Sequence, residues 1–136
     1  MSRGGNLQAE VQVITTAQQY DDLIQASHSK VVIVDLHMTW CGPCAALQPT
    51  LNKIMMDYED ANLRVVFASC DFENLTSKVQ STFVSDSAVH LNKHGSLPLQ
   101  AVYRFGSNIG LLQGVDSPAL LALIEINIPP LAEKSE

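Results

Sequence analysis

The chain has 136 residues and a mass of 14.8 kDa, the size of one globular domain with its own core. Fourteen acidic residues against eight basic ones give a formal net charge of −6, which argues against nucleic acid or an anionic membrane as the main partner. No apolar run approaches the roughly 20 residues of a membrane span, and the first ten residues lack the apolar segment of a secretory signal. Three cysteines make no disulfide framework, so a reducing, cytoplasmic location is expected.

The first part of the chain alternates apolar runs with a helical pattern. Val11–Ile14 is a short strand candidate. Thr16 and Gln19 form the pattern of a capping box, which predicts a helix over Ala17–Ser27. Val31–His37 is almost continuously aliphatic and β-branched, and this pattern predicts a buried central strand.

The middle of the chain predicts a second helix and a third strand. Apolar residues recur at helical spacing within Cys41–Tyr58, and Pro49 is expected to kink this helix. Arg64–Cys70 is rich in β-formers, whereas Asp71–Gln80 is weakly helical. Residues 81–97 have no clear periodicity. Such a long connection is either a tolerated surface insertion or a segment that serves attachment.

A hairpin and a final helix are predicted near the end of the chain. Leu99–Phe105 and Ile109–Gln113 read as strands around a turn at residues 106–108. Ser117 is expected to be the N-cap of the last helix, with Pro118 at its first helical position. The element order β α β α β α β β α predicts an α/β domain, a central mixed sheet with helices on both faces.

Two cysteines three residues apart, Cys41 and Cys44, lie where the second strand gives way to a helix. Residues at this spacing have Cβ atoms roughly 5–6 Å apart on one helix face, so a disulfide can close with little backbone movement. A helix N-terminus also stabilises a thiolate. A dithiol that can close, open and attack predicts a redox centre.

Other interpretations of the cysteines and histidines stay open. The dithiol is half of a zinc site if Cys70 and a histidine complete it, although the chain has no second Cys-x-x-Cys pair. Cys70 itself is either a buried small hydrophobe or a redox group. His37 either tunes the dithiol or is an ordinary surface residue. His90 and His94 have a metal-binding spacing without a carboxylate partner, and no metal is predicted.

Over residues 11–127 the chain resembles the thioredoxin family. The residues that carry the resemblance match the family's active-site signature, buried carboxylate, helix-kinking proline, cis-proline and two spaced glycines. In that order they are Trp40-Cys41-Gly42-Pro43-Cys44, Asp35, Pro49, Pro98, Gly106 and Gly114. The resemblance implies a thioredoxin fold with an insertion at 81–97, before the cis-proline strand.

The resemblance also implies the chemistry. Cys41, at the helix start, would attack a protein disulfide, and Cys44 would resolve the mixed disulfide. Asp35 would take the proton of Cys44, because burial raises a carboxyl pKa towards neutrality. Trp40, Gly42, Pro43, Leu97 and Pro98 would contact the substrate, with the Leu97 backbone presented to an extended segment. No cofactor is implied.

Three positions depart from the family pattern. Ala45 replaces a basic residue after the second cysteine, Leu99 replaces threonine after the cis-proline, and Phe67 occupies the place of a lysine near the carboxylate. These changes leave the dithiol chemistry in place but weaken the expectation of general thioredoxin activity.

Within the family, the chain is similar to the thioredoxin-like light chains of axonemal dynein, through Val11–Thr16 with Gln19–Asp21, Val32–Asp35 and Gly114–Pro118. This similarity implies a redox-capable light chain of outer-arm dynein, or of a related ciliary assembly, with a dynein heavy chain or other axonemal protein as partner. The alternatives are a free-standing cytosolic thioredoxin and a structural module with an incidental dithiol.

Overall fold

The computed structural model describes residues 10–37, 47–71, 99–113 and 116–130, and within them a five-stranded sheet has the order β1-β3-β2-β4-β5. The first three strands are parallel to one another, and the last two are antiparallel to their neighbours. The strands are β1 (Val11–Ile14), β2 (Val31–His37), β3 (Val65–Asp71), β4 (Leu99–Arg104) and β5 (Ser107–Gln113). The helices are α1 (Ala17–Ala26), α2 (Gln48–Asp57), α3 (Ala61–Arg64) and α4 (Ser117–Asn127). The predicted mixed α/β sheet is confirmed.

Strand β2 is covered on both faces. Val32, Val34 and Leu36 belong to the core on the side of α1, whereas Val31 and Ile33 belong to the core on the side of α2 and α4. All five are at most 1% exposed. A strand buried on both faces must be apolar at successive positions, which explains why this run was the clearest strand in the sequence.

The capping box of α1 is confirmed. The Gln19 backbone N–H donates to Thr16 Oγ1 at 3.2 Å, and the Thr16 backbone N–H donates to Gln19 Oε1 at 3.1 Å. The helix ends one residue earlier than predicted, with Ser27 as its C-cap.

The N-cap of α4 was predicted wrongly. Asp116, not Ser117, holds this position, and its Oδ1 accepts a hydrogen bond from the Ala119 N–H at 3.1 Å. Ser117 Oγ instead lies 2.5 Å from Thr50 Oγ1, so its hydroxyl joins α4 to α2. An aspartate and a serine in succession are both good N-caps; here Asp116 caps α4 while the Ser117 hydroxyl contacts α2.

The turn of the β4–β5 hairpin lies at Phe105 and Gly106, not at residues 106–108. Both residues have positive φ, 57° and 79°, and Arg104 pairs with Ser107. These features define a two-residue turn of the I′ kind. The error came from Phe105, because an aromatic residue is uncommon in the left-handed region. Strand β5 accordingly begins at Ser107, with a bulge opposite Val102 and Tyr103.

Two further elements differ from the prediction. Helix α3 has four residues, too short for its periodicity to be read, and follows Asp60 at a left-handed φ of 54°. Asp71, expected to begin a helix, is the last residue of β3. The remainder of that helix and the segment 81–97 lie outside the described residues.

The described part of the second helix runs from Gln48 to Asp57, and Leu47 before it already has helical dihedral angles. Pro49 therefore lies in the first turn of the described helix. Residues 41–46 lie outside the described part, so the predicted kink stays a prediction. In the described ranges no helix is long and apolar enough to cross a membrane.

Candidate active site

Asp35 lies near the carboxyl end of the central strand β2. Ser69 of β3 and Gln100 of β4 are its partners across the sheet. The side chain is half-buried. Strand alternation places it on the side of α2 and α4, two residues beyond Ile33, where it is the polar exception in an apolar run. Ligands of open α/β sheets bind outside the carboxyl ends of the strands, so Asp35 is placed where chemistry is expected.

A buried amide contacts this carboxylate. Gln100 is 0% exposed, and its Nε2 donates to Asp35 Oδ1 at 3.2 Å. A hydrogen bond to the ionised form of a carboxyl group favours that form. Sequence reasoning missed Gln100, although a glutamine within the apolar run from Leu99 to Tyr103 was a usable signal.

Cys70 lies near Asp35 but on the opposite face of the sheet. It pairs with Leu36 and packs in the core beneath α1. Burial, and secondly the nearby Asp35 charge, raise the pKa of its thiol to about 12. The thiol therefore stays protonated at neutral pH. This placement supports the interpretation of Cys70 as a small buried hydrophobe, because a reactive cysteine needs access and a lowered pKa.

Phe67 lies on the same face as Asp35, one step further back along β3. It pairs with Ile33 and is buried in the core beneath α2 and α4. The position expected to replace the family's lysine thus supplies an apolar side chain. Ser69, not Phe67, is the residue directly opposite Asp35.

Most of the predicted site residues lie outside the described part of the chain. These are Trp40, Cys41, Gly42, Pro43, Cys44, Leu97, Pro98 and Gly114. The strand that leads to the dithiol and the strand that follows Pro98 are nevertheless neighbours, because Leu36 pairs with Leu99. Of the residues expected to have structural roles, Pro49 is in α2 and Gly106 is in the hairpin turn. A Cβ on Gly106 would come within 3.0 Å of His28 Nε2.

A metal site finds no support in the described residues. They contain no cluster of three or more histidine, cysteine or acidic side chains that could hold an ion. His90, His94 and the dithiol itself lie outside this part of the chain.

The sheet order and the carboxylate near the end of its central strand are the arrangement expected of a thioredoxin-like oxidoreductase. The Thioredoxin family model matches residues 11–98. The chain is also 30% identical over 115 residues to the thioredoxin of Coprinus comatus, covering 85% of this chain and 95% of that protein. The chain therefore belongs to the thioredoxin family.

Two further comparisons bear on fold and role. The crystal structure of a thioredoxin from Malassezia sympodialis matches with a TM-score of 0.65 at 24% identity, over 93% of this chain and 98% of that one. This likeness confirms the fold. The 16 kDa light chain of flagellar outer-arm dynein from Chlamydomonas reinhardtii is 30% identical over 88 residues, which cover 65% of this chain and 51% of that protein.

Proposed function

We propose that this chain reduces disulfide bonds in proteins, with Cys41 and Cys44 as the redox pair and Asp35 as the proton acceptor. One observation carries the proposal. A half-buried carboxylate lies at the carboxyl end of the central strand, six residues before Cys41, in a chain of the thioredoxin family.

The first step is attack by the Cys41 thiolate on one sulfur of the substrate disulfide. The substrate S–S bond breaks, a mixed disulfide forms with Cys41, and the first substrate thiolate leaves and takes a proton from water. The Cys44 thiol then transfers its proton to the Asp35 carboxylate and attacks the Cys41 sulfur. The mixed disulfide breaks, and the second substrate thiolate leaves and takes up a proton. The substrate gains two electrons, and the Cys41–Cys44 dithiol loses two.

The surroundings of Asp35 suit a group that accepts and returns a proton. The carboxyl group is half-buried, and partial burial disfavours its charged form. The Gln100 amide donates to it and favours the charged form. We expect these opposed effects to leave both protonation states accessible, as a general base requires.

A cysteine-variant series tests the chemistry. We expect Cys41→Ser to abolish insulin reduction with dithiothreitol as the electron source, and Cys44→Ser to trap a mixed disulfide with substrate. Cys70→Ala is the matched control and should still reduce insulin, because that thiol is buried away from the site. If Cys41→Ser captures substrate through Cys44 equally well, the two roles are assigned wrongly. If neither variant captures substrate, the dithiol is incidental.

We further propose that the chain serves as a light-chain subunit of outer-arm dynein or a related ciliary assembly, in the cytoplasm and the axoneme. The partial match to the Chlamydomonas light chain supports this role. The almost complete coverage of the Coprinus thioredoxin supports a free-standing thioredoxin equally well. The segment 81–97 is the candidate attachment region, because it holds more apolar residues than a solvated loop needs.

Deletion of residues 82–94 with a short Gly/Ser bridge separates the two roles. In the light-chain role the variant should fold and still reduce insulin, yet be lost from the dynein fraction that retains the unaltered chain. A free-standing thioredoxin would be absent from that fraction with or without the deletion. Normal incorporation of the shortened chain would exclude the segment as the attachment region.

A further inference from the structure

Gln100 is a polar side chain at a buried core position, where an apolar side chain is expected. It is 0% exposed in the middle of β4, and its neighbours Ala101 and Val102 are core residues. Its partner across the hairpin is Leu112. Burial of an amide costs free energy unless its donors and acceptor are satisfied. A leucine or methionine would fill the same volume without that cost.

The amide is only partly satisfied. Nε2 donates to Asp35 Oδ1 at 3.2 Å, whereas Oε1 is buried and has no hydrogen-bond partner within the described part of the chain. The unpaired acceptor is bonded to the same carbon as the nitrogen that contacts the carboxylate. A half-turn of the terminal amide therefore exchanges the two atoms in front of Asp35.

We propose that Gln100 is a positioning residue for Asp35, whose amide holds the carboxyl group in both of its protonation states. When Asp35 is ionised, Nε2 donates to the carboxylate, as in this structure. When Asp35 carries a proton, the turned amide presents Oε1 as an acceptor for the carboxyl O–H. The unpaired Oε1 thus receives its partner in the protonated state. The inference rests on the proposed function, in which Asp35 passes between these two states.

From β4, the neutral Gln100 amide contacts Asp35. From β3, Cys70 stays protonated because its pKa is raised to about 12, and Ser69 does not titrate. The charged residues on α2 and α4 are exposed, as is the α4 N-cap: they are Lys53, Asp57 and Glu125, with Asp116 as the cap. His37 lies two residues further along β2 itself, and Cys44 follows nine residues after Asp35.

The test is a direct titration of Asp35, read from its side-chain carboxyl carbon by NMR in the reduced protein. Because a hydrogen bond to a charged group is stronger than one to a neutral group, Gln100→Leu should raise the titration midpoint by about one pH unit. Gln100→Met, unbranched like glutamine, should give the same shift and serves if the leucine variant folds poorly. Asn108→Ala is the control, since its amide donates to the Val102 and Gly110 carbonyls of the hairpin. It should leave the midpoint unchanged.

Insulin reduction as a function of pH gives the second measurement. The acidic limb of the rate profile should move up by the same interval in Gln100→Leu, and this difference should vanish when Asp35→Asn is also present. An unchanged or lowered midpoint would overturn the positioning role even if the enzyme is active. If the midpoint rises as expected while no variant reduces insulin, Gln100 still holds Asp35 and the proposed function fails.

Discussion

Arg104 should be the side chain whose loss destabilises the described fold most clearly. It lies at the end of β4 and is only 7% exposed. Its Nη1 donates to the Ser27 and His28 carbonyls at 3.2 and 3.0 Å, and its Nε donates to the Asn127 carbonyl at 3.0 Å. These carbonyls end α1 on one face of the sheet and α4 on the other. The guanidinium therefore joins the helices of both faces, where its charge also suits two helix C-termini.

The cost of Arg104→Met follows from these contacts. The Ser27 carbonyl keeps a donor, because the Phe105 N–H also reaches it at 2.7 Å. The His28 and Asn127 carbonyls lose theirs, at about 1 kcal/mol each. The favourable interaction of the guanidinium charge with the two helix C-termini is also lost, at about 0.5 kcal/mol for each helix. Stacking of the guanidinium over the exposed Phe105 ring, 4.0 Å from its centroid, adds about 0.5 kcal/mol. The total is a loss of about 3.5 kcal/mol, or roughly 10 °C in Tm.

Urea denaturation of the reduced protein at constant m-value measures this loss. Arg104→Lys is the matched control. It keeps the charge and the stem, but one ammonium cannot span both helix ends as a planar guanidinium does, so we expect a loss of about 1 to 2 kcal/mol. A methionine variant within 1 kcal/mol of the unaltered protein would refute the reasoning. Equal losses in both variants would show that geometry, and not charge, sets the whole effect.

Two further predictions concern titratable groups. Asp35→Asn should slow disulfide reduction at neutral pH. It should also raise the free energy of unfolding by about 1 kcal/mol, since an amide avoids the desolvation of a half-buried charge. A loss of stability in urea would show that the hydrogen bonds of the carboxylate outweigh its desolvation. The pKa of the Cys70 thiol is raised to about 12 in the folded protein, against 9.0 ordinarily. As pH rises, the unfolded chain therefore loses this proton before the folded chain does. The contribution of Cys70 to the free energy of unfolding is complete below pH 9 and is lost as pH rises towards 12. The difference in unfolding free energy between the unaltered protein and Cys70→Ala should shrink over that interval, and a constant difference would contradict the placement of the thiol.

Patterns that depend on one element were readable from the sequence. β2 was predicted with its observed bounds because burial on both faces demands an unbroken apolar run. The start of α1 was predicted because its capping box involves residues three positions apart. The position of Asp35 followed from its distance to Cys41 in a family pattern, and the structure places it at the carboxyl end of β2.

Features that depend on two distant elements were not readable. Ser117 bonds to Thr50, 67 residues away in sequence, and this contact accompanies the shift of the N-cap to Asp116. Phe105 has an uncommon backbone conformation in the hairpin turn, and the Arg104 guanidinium stacks on its ring. Gln100 meets Asp35 across 65 residues of sequence. No local periodicity records such pairs, so a sequence pattern shows only that a polar residue interrupts an apolar run.

Gln100 and Arg104 have different roles and lie towards opposite ends of β4. Gln100 lies beside Asp35, and its Oε1 has no hydrogen-bond partner among the described residues; the protonated state of Asp35, as proposed, supplies one. Arg104 lies at the hairpin end of β4 and donates to three carbonyls, which holds the C-terminal ends of α1 and α4 together. The two residues therefore act on different groups, Arg104 on the helix ends and Gln100 on Asp35.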